Sequence, residues 1–215
     1  MNNKNKKFIE YFNTNINIPV KGCPLIEIEM PKVIHNEWIQ WTEKYREYKD
    51  HELSMFRQHF NVGQNVFQIS VSNFDLDKSF AKAFIIKLGE YFLHKVNGLD
   101  IVKLRRTVMI RNTPGLIDDT DWWINYSEKG DHNPIHTHAA TLSSVIYVKN
   151  SKDNSTFFKW GNNIIEYKPK DGWVVMFPSD LPHWVEEKTT SKERITGSIN
   201  LHYNENWYNQ DKPKY

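Results

Sequence analysis

The run Gly130-Asp131-His132-Asn133-Pro134-Ile135-His136-Thr137-His138 places three histidines within seven residues, the last two as a His-x-His pair. Successive side chains of a β-strand point to opposite faces. On a strand, His136 and His138 would therefore project from one face about 6 to 7 Å apart along the backbone. At that spacing two neutral imidazoles can converge on one metal ion. The same residues also suit a polar loop of solvated histidines, and the pair alone does not decide between the two.

A second histidine context lies downstream in Gly172-Trp173-Val174-Val175-Met176-Phe177-Pro178-Ser179-Asp180-Leu181-Pro182-His183-Trp184-Val185. A strand of buried character runs into a proline-containing turn, and His183 emerges just after it. In a jelly roll, the strand carrying His183 can lie opposite the one carrying His136 and His138, which makes the ordered pair of contexts far more specific than either alone. Eleven residues later Arg194 opens the alternating run Arg194-Ile195-Thr196-Gly197-Ser198-Ile199-Asn200, where it would share an interior face with Thr196 and Ser198. A buried arginine needs an anion. Paired with a surface carboxylate such as Glu186 or Glu193 it would contribute about 0 to 1 kcal/mol. As a fork clamping a bound carboxylate, its charge-assisted hydrogen bonds would be worth about 1.5 to 3 kcal/mol each, and lysine would serve less well.

The elements that must position these residues follow from periodicity. Residues Phe8 to Val20 are Asn-rich and alternate loosely, which suggests a strand or extended arm, and Pro24 to Met30 alternates apolar and charged residues like an edge strand ended by Pro31. Asn36 to His59 reads as one helix, or as two broken near Lys49-Asp50. Gly63 to Val71 is a short strand or loop, and Asn73 to Asp77 offers helix N-caps. Lys78 to Val96 carries Phe80, Phe84, Leu88 and Phe92 on one stripe before an Asn97-Gly98 stop, and is the clearest helix, expected to cover a sheet. Thereafter Ile101 to Arg111, Trp122 to Tyr126, Ser143 to Lys149, Thr156 to Trp160, Asn163 to Tyr167, Gly172 to Phe177, His183 to Glu187 and Ile195 to Tyr203 are short, β-prone and separated by turns. The expected fold is mainly β with flanking helices (α+β), built on a jelly-roll core. We expect one domain over residues 1–215, with N-terminal strands and supporting helices in 1–100 and the jelly roll in 101–215.

Composition bounds the function. At 215 residues the chain can bury one sizeable core. Its net charge of +2 gives no strong nucleic-acid or membrane signal. The single cysteine, Cys23, cannot form an internal disulfide, and the Asn/Lys-rich start is too polar for a signal peptide or membrane span, so a soluble, cytoplasmic protein is expected. Fourteen per cent aromatic residues, with eight Trp, suits a β-rich core, with Trp123, Tyr126, Trp173 and Trp184 as candidate pocket walls. A homodimer is left open.

Taken in order, Trp123 to Gly130, Pro134 to His138, Leu142 to Val148, Phe177-Pro178-Ser179, His183-Trp184-Val185 and Arg194 to Asn200 resemble Fe(II)/2-oxoglutarate-dependent oxygenases of the small bacterial and phage type. The resemblance spans roughly the C-terminal half, Trp122 to Leu201. It implies a double-stranded β-helix, Fe(II) as cofactor and 2-oxoglutarate as cosubstrate, consumed with dioxygen in hydroxylating an unidentified prime substrate. By the same resemblance His136 and His183 are iron ligands and Arg194 clamps the distal carboxylate of 2-oxoglutarate. Thr196 supplies a second hydroxyl contact, and Asn125 and Tyr147 belong to the cosubstrate pocket. The chain departs from the family at one point, because His138 stands where the wider superfamily carries Asp or Glu. His138 is then either a third ligand or a neighbour of the metal, and in both cases a neutral group replaces a charge. Two other readings stay open. A metal-binding cupin (a non-oxoglutarate dioxygenase, an isomerase or a sugar-binding module) fits the glycine and histidine spacings but lacks the glutamate expected after the first pair. A jelly-roll binding protein with a decayed site fits the exchanged His138.

Overall fold

The computed structural model describes residues 3–50, 66–71, 73–77, 79–95 and 117–203. The expected strand Ile101 to Arg111 and the second part of the expected helix, 51–59, lie outside the described residues.

Among the described residues, four α-helices precede most of the sheet. Helix α1 (Asn3–Asn15) takes the first part of the stretch Phe8 to Val20 expected to be extended, while Asn17 beyond it bridges Glu27. Asparagine is a weak helix former, but the register lets fully buried Phe12 pack edge-on against Phe84 and Tyr91 at 5.3 and 5.6 Å. Tertiary burial therefore overrides local propensity. Helix α2 (Lys32–Asp50) starts where the Pro31 carbonyl accepts from the amides of Ile34 and His35. It buries Ile34, Trp38, Trp41 and Tyr45 at helical spacing. A short α3 (Asn73–Leu76) leads to α4 (Phe80–Lys95), whose stripe buries Phe84, Leu88 and Phe92 completely but leaves Phe80 exposed at the helix start.

The described strands are β1 (Ile26–Glu29), β2 (Phe67–Ser70), β3 (Ile117–Ser127), β4 (Asn133–His136), β5 (Leu142–Lys149), β6 (Thr156–Trp160), β7 (Asn163–Tyr167), β8 (Trp173–Pro178), β9 (His183–Val185) and β10 (Arg194–Tyr203). They form a major sheet, order β1-β8-β5-β10-β3-β2, and a minor sheet, order β4-β9-β6-β7, with every pair antiparallel. The two sheets pack as a β-jelly roll, and the fold class is α+β. The N-terminal half contributes both edge strands of the major sheet.

Alternation along β10 explains how the chain serves two interiors. Ile195, Ile199 and Leu201 join the large core under the helices, together with Trp38, Ile124 and Ile146. Arg194, Thr196 and Ser198 line the opposite, concave face, as do their strand neighbours Ser127, Asn125 and Trp123. A smaller core of Leu25, Tyr147, Phe158, Tyr167, Val175 and Phe177 binds the two sheets together at one end. The other end stays open as a cavity.

Candidate metal centre and anion pocket

The β4–β9 pairing sets His136 directly opposite His183, so both imidazoles project into the space between the sheets. The expectation that His138 continues the same strand is not met. β4 ends at His136, and the His138 amide instead donates to the Ser179 carbonyl at 2.9 Å, leaving the strand to join the loop before His183. This bend swings His138 inward. Its Nε2 lies 3.3 Å from His183 Nε2, and one ligand nitrogen from each of the three histidines lies within 4.8 Å of the other two.

The electrostatics favour lone pairs over protons. His136 Nδ1–H donates to the Pro134 carbonyl at 2.7 Å, and His183 Nδ1–H donates to the Leu181 carbonyl at 2.9 Å. The same two-residue back-bond in both places leaves each Nε2 as the acceptor nitrogen, and such outer bonds orient metal-binding imidazoles. Burial lowers the pKa of all three rings. His183 is pushed well below the ordinary value by burial and then by the other two histidines, and His138 is lowered to about 4 by burial and then by His136. For His136, burial outweighs its bond to Pro134, which acts the other way. The facing nitrogens of His138 and His183, 3.3 Å apart, are close enough for one ion to be held by both. The donors present therefore fit a divalent transition metal. The cluster contains no carboxylate among the described residues. Asp131 borders the cavity but lies in the turn after β3, where its carboxylate accepts from the Glu128 amide at 2.7 Å.

Arg194 opens β10 in the same cavity and is 3% exposed. Glu193, one of its suggested surface partners, pairs instead with Arg46. No described carboxylate lies within ion-pair distance of Arg194, and its Nε has no hydrogen-bond partner. Nη2 reaches Thr156 Oγ1 at 3.5 Å, and the guanidinium lies 5.7 Å from the Tyr147 ring centroid. Burial lowers its pKa, opposed by Tyr147 and Asp171. A dry cation with a free donor edge is the complement of an anion.

The remaining candidates divide. Thr196 and Asn125 line the cavity: Asn125 Nδ2 donates to Thr196 Oγ1 at 3.2 Å and to Ser198 Oγ at 2.9 Å, while Gln68 Nε2 donates to Asn125 Oδ1 at 2.8 Å. Tyr147 is fully buried one layer behind, its hydroxyl donating to Thr156 Oγ1 at 2.9 Å. Trp123 lines the cavity with its ring 5.9 Å from that of His138. Of the other aromatic candidates, Tyr126 faces the helices and donates to the Thr42 carbonyl, and Trp184 stacks on Phe157 one position off the inward-facing His183. Trp173 is half-buried at the far end of β8 under Lys170. None of the three forms the pocket wall. Thr156 and Gln68 were not singled out by any motif. Strand alternation from Phe158, which packs beside His183, would have placed Thr156 inward.

The cavity measures about 630 Å³ and takes in the three histidines and Arg194. That is ample for a small diacid with a second molecule beside it.

No family model matches the sequence, and no curated protein is significantly similar to it. Solved structures do match. A prolyl-4-hydroxylase from Pseudomonas putida superposes with a TM-score of 0.55 at 12% identity, covering 93% of this chain and 99% of that one. A prolyl hydroxylase from Trichoplax adhaerens, in complex with a hypoxia inducible factor peptide fragment, gives 0.51 at 13% identity over 98% and 93%. HygX from Streptomyces hygroscopicus with iron bound gives 0.51 at 9% identity over 92% and 86%. The chain thus shares, over most of its length, the β-jelly-roll fold of structures that belong to the 2-oxoglutarate- and Fe(II)-dependent oxygenases.

Proposed function

We propose that the protein is an Fe(II)- and 2-oxoglutarate-dependent oxygenase that hydroxylates a prime substrate admitted to the open cavity. The observation that carries this reading is the pairing, in one cavity, of three convergent neutral imidazoles with a buried arginine that has no carboxylate of its own. His136, His138 and His183 would hold the iron. With 2-oxoglutarate and dioxygen, that iron supplies the oxidation of a C–H bond. Arg194, helped by Thr196, would hold the distal carboxylate and so fix the orientation of the cosubstrate. Asn125 would brace Thr196, and the cavity walls would exclude bulk water from the reacting groups.

The test is anaerobic titration with Fe(II) and then with 2-oxoglutarate. The expected result is the weak visible charge-transfer band of the iron chelate, at one equivalent of each. Iron binding with no response to 2-oxoglutarate would leave the metal-binding cupin reading, and binding of neither would leave a jelly roll without a working site. Among the described residues no helix is long and apolar enough to cross a membrane.

A further inference from the structure

The closed end of the cavity contains a hydroxyl whose direction is set by its neighbours. Thr156, on β6, is 2% exposed and lines the cavity. Its Oγ1 accepts from the Tyr147 hydroxyl at 2.9 Å and from Arg194 Nη2 at 3.5 Å. A threonine hydroxyl has two acceptor lone pairs and one hydrogen. With both lone pairs engaged, the hydrogen is left to donate to whatever occupies the cavity. Tyr147 itself is held behind Thr156, stacked on Tyr167 with ring centroids 5.7 Å apart, and does not line the cavity. Thr196 Oγ1 accepts one bond, from Asn125 Nδ2, which leaves its hydrogen free to donate as well. Beside Arg194, the Thr156 hydroxyl therefore adds a second donor to those of the guanidinium.

We infer that Thr156 directly binds the carboxylate held by Arg194, and that Tyr147 is a positioning residue acting through Thr156 rather than a ligand contact. This rests on the reading of the pocket as a 2-oxoglutarate site, and it moves Tyr147, a pocket candidate by resemblance, to a place behind the pocket wall. A guanidinium and a hydroxyl that both donate suit a carboxylate, which only accepts. They reject the corresponding carboxamide, whose N–H groups would face other donors.

The test is calorimetric titration of the full chain loaded with redox-inert Zn(II), using 2-oxoglutarate and its C5 amide, 2-oxoglutaramate. Thr156→Val should weaken 2-oxoglutarate binding by about tenfold or more and narrow the preference over the amide, while Thr156→Ser keeps both within about threefold. Tyr147→Phe should weaken binding less than Thr156→Val, and the double variant should be no worse than Thr156→Val alone, because the tyrosine acts only through the threonine. Zn(II) affinity should stay at the wild-type value throughout, which separates a lost contact from a damaged fold. Unchanged 2-oxoglutarate affinity in Thr156→Val would overturn the inference, as would a Tyr147→Phe loss that equals it and adds to it. A wild-type protein that binds Zn(II) but no 2-oxoglutarate would remove the pocket reading itself and this inference with it.

Discussion

His136 and His183 are partners in the β4–β9 pairing, and their imidazole centroids lie 4.3 Å apart. Two chain segments separated by four strands thus bring their metal-binding candidates together through backbone register. Each ring is fixed by a hydrogen bond to a carbonyl two residues earlier. Removal of either ring should cost most of the metal affinity. His183→Ala and His136→Ala are each expected to weaken Fe(II) binding by at least about a hundredfold, read by competition against a chelator. His138→Ala should cost clearly less if that ring is only a neighbour, and a comparable amount if it is a ligand. His138→Asp, which adds one negative charge beside a dication, should bind Fe(II) at least as tightly as wild type.

The depressed histidine pKa values predict an acid-sensitive apoprotein. For His138 the folded-state value is about 4, against about 6.5 for an unperturbed ring. Between those values the unfolded chain binds the proton and the folded chain does not, so stability is full above about pH 6.5 and is lost as pH falls towards 4. The effect for this ring alone is on the order of 3 kcal/mol. Thermal midpoints of the metal-free protein across that window should fall steeply, and His138→Gln should flatten the slope. An equal slope in wild type and variant would assign the acid loss to groups other than His138, the depressed His136 and His183 included.

Arg194 makes a different trade. A buried guanidinium with an unpartnered Nε and no described carboxylate within ion-pair distance destabilises the empty fold, because its desolvation is not offset. Arg194→Met should therefore leave the thermal midpoint of the ligand-free protein unchanged or raise it. The same variant should abolish the stabilisation that millimolar 2-oxoglutarate confers on the metal-loaded wild type. A collapse of the midpoint in Arg194→Met would instead mark the arginine as structural.

How far these features could be read from sequence depended on the range of the interaction that fixes them. β6 and β7, Thr156–Trp160 and Asn163–Tyr167, have the expected bounds, because period-two alternation meets at a two-residue Gly161-Asn162 turn. The facing of Arg194, Thr196 and Ser198 followed from the same period. Helix α1 departs from its local sequence pattern because Phe12 gains its burial from Phe84 and Tyr91, some seventy residues away. The His138 bend was invisible for a similar reason: its amide partner, Ser179, lies in the loop before His183. Thr156 went unnoticed because its role arises only where β5, β6 and β10 converge on one hydroxyl.

The strand that carries Arg194 and Thr196 makes a close approach to α2 on its far face. Gly197 lies between Thr196 and Ser198 and turns its missing side chain towards α2, where an added Cβ would overlap the six-membered ring of Trp38. Trp38 is fully buried and stacks at 5.8 Å on Trp122, so its ring cannot move aside without disturbing the helix-side core. Overpacking of this kind typically costs about 1 to 3 kcal/mol. Gly197→Ala should lower stability by at least that amount, measured by urea unfolding. Shortening the obstructing ring should relieve it: in a Trp38→Leu background the added cost of Gly197→Ala should drop below about 1 kcal/mol. Because Thr196 and Arg194 ride on the same strand, a Gly197→Ala protein that still folds should bind 2-oxoglutarate more weakly while its Fe(II) affinity, set by β4, β9 and the His138 loop, changes little.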